Sequence, residues 1–498
     1  GGEVTLRDAS EYWGLLCGEA EDRFVEAHGK KAHAAVIGPA GERVSALAAI
    51  INDSGRAAGR SGLGMVMGSK RVKAVVAVAG GAVPVAEEDK LKELRKHLLG
   101  EYYKEGNVLY DLFHDIGTPA VMQPGVMTGD SPIKNWSGAM EDMPGFEAIC
   151  EDAVLALQER PYGCWMCPLA CGGHMKVPSG PYAGEGHKPE YETLASFGSM
   201  CLNANVESIC RVNNVCNDAG MDTISTGATV AFAIECYENG VITKADTGGI
   251  ELTWGNHDAI VEVTEQMASG EGFGGEVLGD GIKKAAERIG KDAERFGMEC
   301  GGEELPMHDP RCSPGIGASF IVDATPGRHT QWGSWFPEAG MAPPGIGQPE
   351  HEDKYAYSGK GPTHKHMSSF GHVVNSAGLC MFASLVTPAT DVPNYLTYAL
   401  GRSFTMENVL EIGERIANLR IAFNLREGVR NKEMYKLPPR VLGRPPLEGG
   451  ALKGIAIDND VQIREYYEAM GWNPETGVPK RAVFEHLGLD FALEVAEP

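Results

Sequence analysis

The feature that most constrains this 498-residue chain is a run of three cysteines within eight residues, CWMCPLAC, at Cys164, Cys167 and Cys171. Thiolates at this spacing can surround one small inorganic cluster, which then needs a fourth ligand from elsewhere in the chain. Structural zinc, the metal alternative, commonly takes two pairs of ligands, and the sequence has no second C-x2-C or H-x3-H pair. The spacing therefore favours a [4Fe–4S] cluster over zinc or over three buried thiols without a metal.

Spacing alone leaves the fourth ligand open. The chain has twelve cysteines, too few for a disulfide scaffold of this length, and nine of them lie outside the cluster. Cys380 differs from the other eight because it ends a short pattern that occurs twice. This pattern, Asn-x-x-Gly-[Met/Leu]-[Asp/Cys], covers residues 217–222 and 375–380.

Charge and hydropathy restrict the partners of the chain. It carries 44 lysine and arginine residues against 68 aspartate and glutamate residues, a net charge of −24. Nonspecific nucleic-acid binding needs many basic contacts to phosphates, so we expect no nucleic-acid partner. The apolar runs are short compared with the roughly 20 residues that span a bilayer. We therefore expect a cytoplasmic protein without a membrane span or a secretory signal, and the opening GGEVTL, which lacks an initiator methionine, suggests missing upstream sequence.

Hydrophobic periodicity predicts a chain that begins with strands and continues mainly with helices. Short runs rich in valine and alanine at 32–37 and 72–78 are typical of buried strands. From about residue 86 onward, apolar residues recur near the helical period of 3.6. The predicted helices cover residues 87–99, 206–219, 226–239, 257–269, 282–289 and 406–423.

A glycine-rich basic loop lies between the two predicted strands. The run GRAAGRSGLGMVMGSK, residues 55–70, places Arg56, Arg60 and Lys70 among five glycines. Small residues allow backbone N–H groups to approach an anion, and guanidinium groups bind phosphate in a fork. The run matches neither G-x-G-x-x-G after a strand nor the P-loop pattern. Taken alone, the run therefore favours a glycine-rich turn with solvated arginines over an anion-binding loop.

Two further segments contain residue types suited to acid–base chemistry. PEYET, residues 189–193, places two carboxylates at the start of a predicted helix, where acids commonly interact with the helix dipole at the surface. His329 lies in ATPGRHTQWGSWF, a segment too rich in glycine and proline for a helix. A single histidine in a loop commonly has no special role. The aromatic residues that follow it fit either an apolar pocket or ordinary packing.

Taken together, these segments resemble the tungsten-containing aldehyde ferredoxin oxidoreductases. The resemblance starts with GPAGERVSALAAIINDSGRAAGRSGLGMVMGSKRVKAV and runs through essentially the whole chain. CPLACGG, PEYETLASFGS, NDAGMDTISTG, ELPMHDPR, ATPGRHTQ and NSAGLCMF follow in the order of the family.

The resemblance implies an α+β multidomain fold. Residues 1–85 would be the remainder of a β-rich N-terminal domain that forms the base for the cofactor. Residues 86–305 would form a mostly helical domain with the cysteine cluster and the first pterin motif. Residues 306–498 would form a second helical domain with the second pterin motif and the fourth cluster cysteine. Together these domains would enclose a tungstopterin and an iron–sulfur cluster.

The resemblance also implies a set of ligands. The cofactors would be a tungsten bis-pterin, one [4Fe–4S] cluster and a Mg²⁺ that bridges the pterin phosphates. Asn217 and Asn375 stand where the family usually has aspartate, and an amide both donates and accepts hydrogen bonds, so the pattern of pterin contacts would differ. The cluster would be held by Cys164, Cys167, Cys171 and Cys380. The pterins would contact Arg56, Ala57, Gly59, Asn217, Gly220, Met221, Asp222, Asn375, Gly378 and Leu379.

By the same resemblance, Glu192 would be the active-site carboxylate, with Glu190 as the alternative, and His329 the active-site histidine. The implied reaction converts a small aldehyde and water into a carboxylic acid. Its electrons would pass to ferredoxin or to a dedicated iron–sulfur or flavin subunit, and the protein could form a homodimer. Two alternatives stay open: a related tungstopterin reductase subunit of the aromatic acyl-coenzyme A type, and a non-catalytic iron–sulfur electron relay.

Overall fold

The computed structural model describes residues 2–53, 55–78 and 80–497 and divides the chain into two compact units. Unit 1 comprises Gly1–Ala82, Gly145–Arg160 and Gly173–Met298. Unit 2 comprises Val83–Pro144, Pro161–Gly172 and Glu299–Pro498. The chain therefore passes between the units several times, and the division into three consecutive domains stays a prediction.

Unit 1 contains a four-stranded antiparallel sheet. Its strand order is Arg56–Ala58, Ile50–Asn52, Ala32–Val36 and Ala74–Val78. The helix Cys17–His28 packs on the sheet, because its apolar face and the buried side chains of the central strands form one core. Both predicted strands are confirmed by Ala32–Val36 and Ala74–Val78.

A second strand pair in unit 1 is formed by Gly172–Val177 and Gly184–His187, which are antiparallel with His174 opposite His187. The strand Gln158–Tyr162 is the neighbour of Gly172–Val177. The α-helices of unit 1 are Cys17–His28, Pro39–Glu42, Leu63–Ser69, Glu151–Leu155, Tyr191–Phe197, Val206–Ala219, Thr223–Glu238, His257–Ser269 and Gly281–Ile289.

The helix pair around the first Asn-x-x-Gly motif shows how local sequence sets the helix ends. The Asn205 side chain accepts a hydrogen bond from the Ser208 N–H at 2.8 Å and starts the helix Val206–Ala219. The helix ends at Gly220, whose φ of +71° lies in the left-handed region, and a Cβ there would lie 2.7 Å from the Gly38 nitrogen. Glycine is therefore required at this position by both conformation and space.

Unit 2 is almost wholly helical, and its one described strand pair is the short Glu299–Cys300 with Glu303–Glu304. The long helix Met406–Arg426 packs against Gly361–Ser376, which also contacts Asp460–Ala469. The α-helices of unit 2 are Glu88–Glu101, Val108–Asp111, Met122–Thr128, Pro314–Val322, Trp335–Glu338, Gly361–Ser376, Met381–Val386, Asp391–Leu400, Met406–Arg426, Asn431–Met434, Asp460–Ala469 and Arg481–His486.

Shorter helical turns connect these elements. The π-helical turns are Leu112–Ile116 and Gly274–Leu278. The 3₁₀ turns are Ser10–Tyr12, Thr118–Val121, Met140–Asp142, Phe146–Ile149, Ser199–Cys201, Ala293–Phe296, Pro439–Leu442 and Asp490–Val495. None of the helices in the described part of the chain has the length and apolarity that crossing a membrane requires.

The α+β fold class predicted from the sequence is confirmed, since small sheets occur with many helices. The helices predicted over 206–219 and 257–269 have the same bounds in the structure. The helix predicted over 226–239 begins earlier, at Thr223, because the Asp222 carboxylate caps it by accepting from the N–H groups of Ile224 and Ser225.

Candidate metal and cofactor sites

The three clustered cysteines lie in a tight loop of unit 2. The loop turns back on itself at Met166 and Ala170, whose φ angles of +54° and +47° are left-handed. The Cys167 N–H donates to the Cys164 carbonyl at 2.9 Å. A left-handed residue therefore stands directly before the second and the third cysteine, and the chain turns at both places.

Cys380 lies close to this loop within the same unit. It stands directly before the helix Met381–Val386. Desolvation raises the pKa of the Cys380 thiol, backbone N–H groups of Ala383 and Phe382 lower it, and the neighbouring Cys167 and Cys164 raise it. Cys167 and Cys171 pack against the same apolar cluster as Phe382. The tertiary structure therefore brings all four candidate thiols into one region of unit 2.

The other eight cysteines have a different environment. Each is buried, and desolvation raises the pKa of each thiol, which keeps it protonated and inert. Cys164 and Cys380 are exposed, and Cys167 and Cys171 are half-buried. The chemistry of this four-thiol set fits an iron–sulfur cluster. The buried cysteines are Cys17, Cys150, Cys201, Cys210, Cys216, Cys236, Cys300 and Cys312.

The glycine-rich loop of unit 1 holds its first arginine beside a carboxylate. Arg56 Nη1 donates to Glu190 Oε1 at 3.0 Å, and Glu190 is the residue before the helix Tyr191–Phe197. The loop passes close to His187, since a Cβ on Gly55 would lie 2.6 Å from the imidazole Cδ2. Burial, with the nearby positive charges of His174 and Arg56, lowers the pKa of His187 to about 4, so its ring is neutral at neutral pH.

The second arginine of the loop meets the first Asn-x-x-Gly motif. Arg60 Nε lies 3.5 Å from Asp222 Oδ2, and both side chains are largely buried. The backbone of the motif is also held, because the Asp222 N–H donates to the Leu47 carbonyl and the Ala49 N–H donates to the Gly220 carbonyl. Met221 forms a bridge with Ala48 in the same stretch. The loop and the first motif thus form one surface of unit 1.

The second motif, in unit 2, repeats the backbone geometry of the first. The Gly220 N–H donates to the Asn217 carbonyl at 3.2 Å, and the Gly378 N–H donates to the Asn375 carbonyl at 3.3 Å. The φ angles of the two glycines are +71° and +72°. Each motif therefore ends a helix with the same left-handed turn, which presents the residues after the glycine in the same way.

The two motif asparagines differ in their side-chain contacts. Asn375 Nδ2 donates to the Thr330 carbonyl and to Gln331 Oε1, each at 3.2 Å. An aspartate could make neither bond, because an ionised carboxylate only accepts. Asn217 is half-buried, and within the described residues its side chain makes no such pair of bonds. The amide at 375 thus ties its helix to the loop that carries His329.

The two predicted catalytic residues belong to different units. Glu192 is in the first turn of the helix Tyr191–Phe197 in unit 1. His329 is in the loop after the helix Pro314–Val322 in unit 2. Within unit 2, the His329 ring lies 5.1 Å from the ring of His308, measured between centroids. The interpretation of the sequence did not single out His308, although it stands in the quoted ELPMHDPR segment.

Comparison with known proteins identifies the chain as a cofactor-dependent oxidoreductase and gives its family. The model of the aldehyde ferredoxin oxidoreductase N-terminal domain matches residues 1–79. The model of domains 2 and 3 of the same family matches residues 93–489. This chain belongs to the aldehyde ferredoxin oxidoreductase family, and membership implies a tungstopterin cofactor.

Individual relatives agree with this assignment. The tungsten-containing aldehyde ferredoxin oxidoreductases of Pyrococcus furiosus and Thermococcus kodakarensis are each 32% identical to this chain, covering 98% of it and 78% of the relative. An aliphatic sulfonate oxidoreductase WOR-like subunit of Pyrococcus furiosus is 29% identical, covering 98% of this chain and 77% of the relative.

One solved structure shares the fold at low sequence identity. The active site complex of benzoyl coenzyme A reductase with 1,5-dienoyl-CoA has a TM-score of 0.77 and 20% identity, covering 98% of this chain and 78% of that chain. The similarity confirms the fold that the resemblance implied.

Proposed function

We propose that this protein oxidises a small aldehyde with water to a carboxylic acid. The electrons would pass through a [4Fe–4S] cluster to ferredoxin. The observation that carries the proposal is the four-thiol set of unit 2, since these four cysteines alone among the twelve are not buried. Four accessible thiols can hold a [4Fe–4S] cluster. Such a cluster would carry electrons one at a time from the oxidised aldehyde to the acceptor protein.

The proposed ligands follow from the contacts within each unit. Cys164, Cys167, Cys171 and Cys380 would hold the [4Fe–4S] cluster. In unit 1, Arg60 of the glycine-rich loop lies beside Asp222 of the first motif, and Arg56 lies beside Glu190. Guanidinium groups in such a loop suit an anionic pterin. A Mg²⁺ would bridge the pterin phosphates. The pterins would contact Arg56, Ala57, Gly59, Asn217, Gly220, Met221 and Asp222 from unit 1, and Asn375, Gly378 and Leu379 from unit 2.

When bound, the tungstopterin supplies the two-electron chemistry of the aldehyde carbon. We assign to Glu192 the role of general base toward water or the hydrated aldehyde, a role typically worth about 10²–10⁴ in rate. His329 would donate a hydrogen bond to the aldehyde oxygen and favour the charge that builds on it. Glu190, the alternative base, is engaged with Arg56 and would instead position that guanidinium toward the cofactor.

Electrons would leave at the exposed side of the cysteine loop. Trp165 is 89% exposed and Met166 is 60% exposed, although both are large and apolar. Both residues lie between Cys164 and Cys167 in the sequence. An exposed aromatic residue beside a redox site is typical of a contact that anchors a protein partner, and we propose that ferredoxin docks here.

Metal analysis and an aldehyde panel test the proposed function on the same anaerobically purified protein. We expect about one tungsten and four irons per chain, and aldehyde-dependent reduction of a viologen dye or ferredoxin. Glu192→Gln should abolish most turnover and keep the tungsten, with Glu207→Gln, at another helix start, as the matched control. Tungsten without activity on any aldehyde would contradict the proposal and favour the acyl-coenzyme A reductase branch. Iron without tungsten or molybdenum would favour an electron relay.

A further inference from the structure

One aromatic segment of unit 2, residues 102–114, packs against both parts of the chain that carry the candidate cluster thiols. Those parts are the loop 164–171 and the helix Met381–Val386, which Cys380 directly precedes. All three contribute to a single apolar cluster, in which each has one buried member. These buried members are Phe113, Leu169 and Val386. The segment is therefore a shared packing partner of the two cysteine-bearing parts.

Two side-chain hydrogen bonds tie this segment to the backbone beside the thiols. His114 Nδ1 lies 3.0 Å from the carbonyl oxygen of Leu169, which stands between the second and third cysteines of the loop. Because a carbonyl only accepts, Nδ1 carries the proton of this bond and donates it. At the other part, the Tyr103 hydroxyl donates to the Ala383 carbonyl at 3.2 Å, three residues after Cys380. Each bond therefore holds backbone that lies next to a candidate ligand.

The two side chains that make these bonds are connected through a third ring. The Tyr103 ring meets the Tyr110 ring edge-on, at 6.2 Å between centroids and an interplanar angle of 85°. The Tyr110 ring in turn stacks on the His114 ring at 4.8 Å and 15°. Both geometries are favourable for aromatic pairs. His114 also stands in the π-helical turn Leu112–Ile116, a kind of turn that is frequent at functional sites. The three rings therefore form a continuous aromatic bridge from the three-cysteine loop to the helix after Cys380.

We propose that the aromatic bridge of Tyr103, Tyr110 and His114 positions Cys380 to hold the fourth iron of the cluster. This inference rests on the proposed [4Fe–4S] cluster. The spacing of the loop holds its three cysteines near one another, whereas Cys380 is distant in the sequence, so tertiary contacts must fix its place. The bridge residues are positioning residues, since they act through the backbone beside the ligands. Such outer contacts of metal ligands typically contribute about 10- to 100-fold in metal affinity.

A weakly held fourth iron has a specific spectroscopic signature. When ferricyanide takes one electron from a [4Fe–4S]²⁺ cluster, the resulting [4Fe–4S]³⁺ form can release Fe²⁺ and leave [3Fe–4S]⁺. The electron paramagnetic resonance signal of the three-iron form distinguishes this step from loss of the whole cluster. The measurement uses the full chain, purified without oxygen and then treated with ferricyanide.

Two substitutions keep the rings of the bridge and remove its hydrogen bonds. His114→Phe loses the donor to Leu169, and Tyr103→Phe loses the donor to Ala383. We expect the three-iron signal to appear about 3- to 10-fold faster in each variant, the factor that one neutral hydrogen bond contributes. The double variant should convert about 10- to 100-fold faster than the wild type. The thermal midpoint should match the wild type in all three variants.

A conservative variant and a matched control isolate the hydrogen bond to the loop. The amide of His114→Asn can donate from near the position of Nδ1, so conversion should return to within about twofold of the wild type. The control is His97→Phe. His97 is exposed like His114, and its ring also contacts a tyrosine, Tyr102, edge-on at 6.2 Å. This control should convert at the wild-type rate.

The outcomes separate this inference from the proposed cluster. A wild type with a [4Fe–4S] signal and unchanged conversion in both phenylalanine variants would overturn the inference alone. Loss of the whole cluster without a three-iron signal, or equal acceleration in His97→Phe, would also overturn it, because the effect would then be one of general stability. A wild type without any iron–sulfur signal would overturn the proposed cluster and this inference with it.

Discussion

Replacing Asn375 by aspartate should loosen the loop that carries His329. The amide donates two hydrogen bonds of 3.2 Å, to the Thr330 carbonyl and to Gln331 Oε1. A carboxylate can replace neither bond, and it places negative charge against two acceptor oxygens. The substitution therefore changes two attractive contacts into two repulsive ones without a change in size.

The magnitude follows from the number and the exposure of these bonds. A neutral intramolecular hydrogen bond contributes about 0.5–1.5 kcal/mol, so two contribute roughly 1–3 kcal/mol. Asn375 is exposed, and water would compensate part of the loss, which leaves about 1–2 kcal/mol. The loop has a second anchor that persists, because the buried Trp332 ring packs edge-on against Phe370 of the helix Gly361–Ser376. We therefore expect more frequent local opening and no global unfolding.

Hydrogen–deuterium exchange with mass spectrometry measures this opening directly. Peptides that cover residues 326–334 should exchange about 5- to 30-fold faster in Asn375→Asp. Asn217→Asp is the matched control, since it makes the same change in the first motif, where the amide lacks this pair of partners among the described residues, and it should change local exchange by less than about twofold. Unchanged exchange at 326–334, or an equal acceleration in both variants, would refute the reasoning.

Three further predictions concern the cluster, the acid stability and the electron partner. Cys380→Ser should lose iron and the [4Fe–4S] signal in electron paramagnetic resonance, while Cys236→Ser, at a buried thiol, should keep both. Burial lowers the pKa of His364 to about 4, so the unfolded chain binds a proton that the folded chain does not. Stability should therefore fall by up to about 3 kcal/mol between pH 6.5 and 4, and His364→Gln should flatten this loss in urea titrations. Trp165→Ala should raise KM for ferredoxin roughly tenfold and leave viologen reduction unchanged; an equal loss with both acceptors would contradict docking at this residue.

Local hydrogen bonds explain why many elements could be predicted from the sequence. The helix Val206–Ala219 is bounded by a cap at Asn205 and a left-handed glycine at Gly220. Both features depend on residues within a few positions of each other, so they are visible as patterns. The repeated Asn-x-x-Gly pattern likewise corresponds to a repeated helix end, because the Gly378 turn has nearly the same φ as the Gly220 turn.

Other features depend on residues that are far apart in the sequence. The pairing of Arg56 with Glu190 joins positions separated by 134 residues, and that of His308 with Asp130 joins positions separated by 178. Such pairs follow from how whole helices and loops pack, which no local pattern encodes. From the sequence, Glu190 was the alternative to Glu192 as the active-site carboxylate. In the structure, the Glu190 carboxylate accepts a hydrogen bond from the Arg56 guanidinium.

The cysteines show the same division most clearly. The spacing of CWMCPLAC by itself determined that three thiols lie together and pointed to a metal cluster. A repeated pattern and the family resemblance pointed to Cys380 as the fourth ligand, but only the tertiary structure shows that packing buries the other eight thiols, which raises their pKa values. The physical reason is that a ligand must be accessible and near its partners in space, and burial is a property of the folded chain rather than of any short segment.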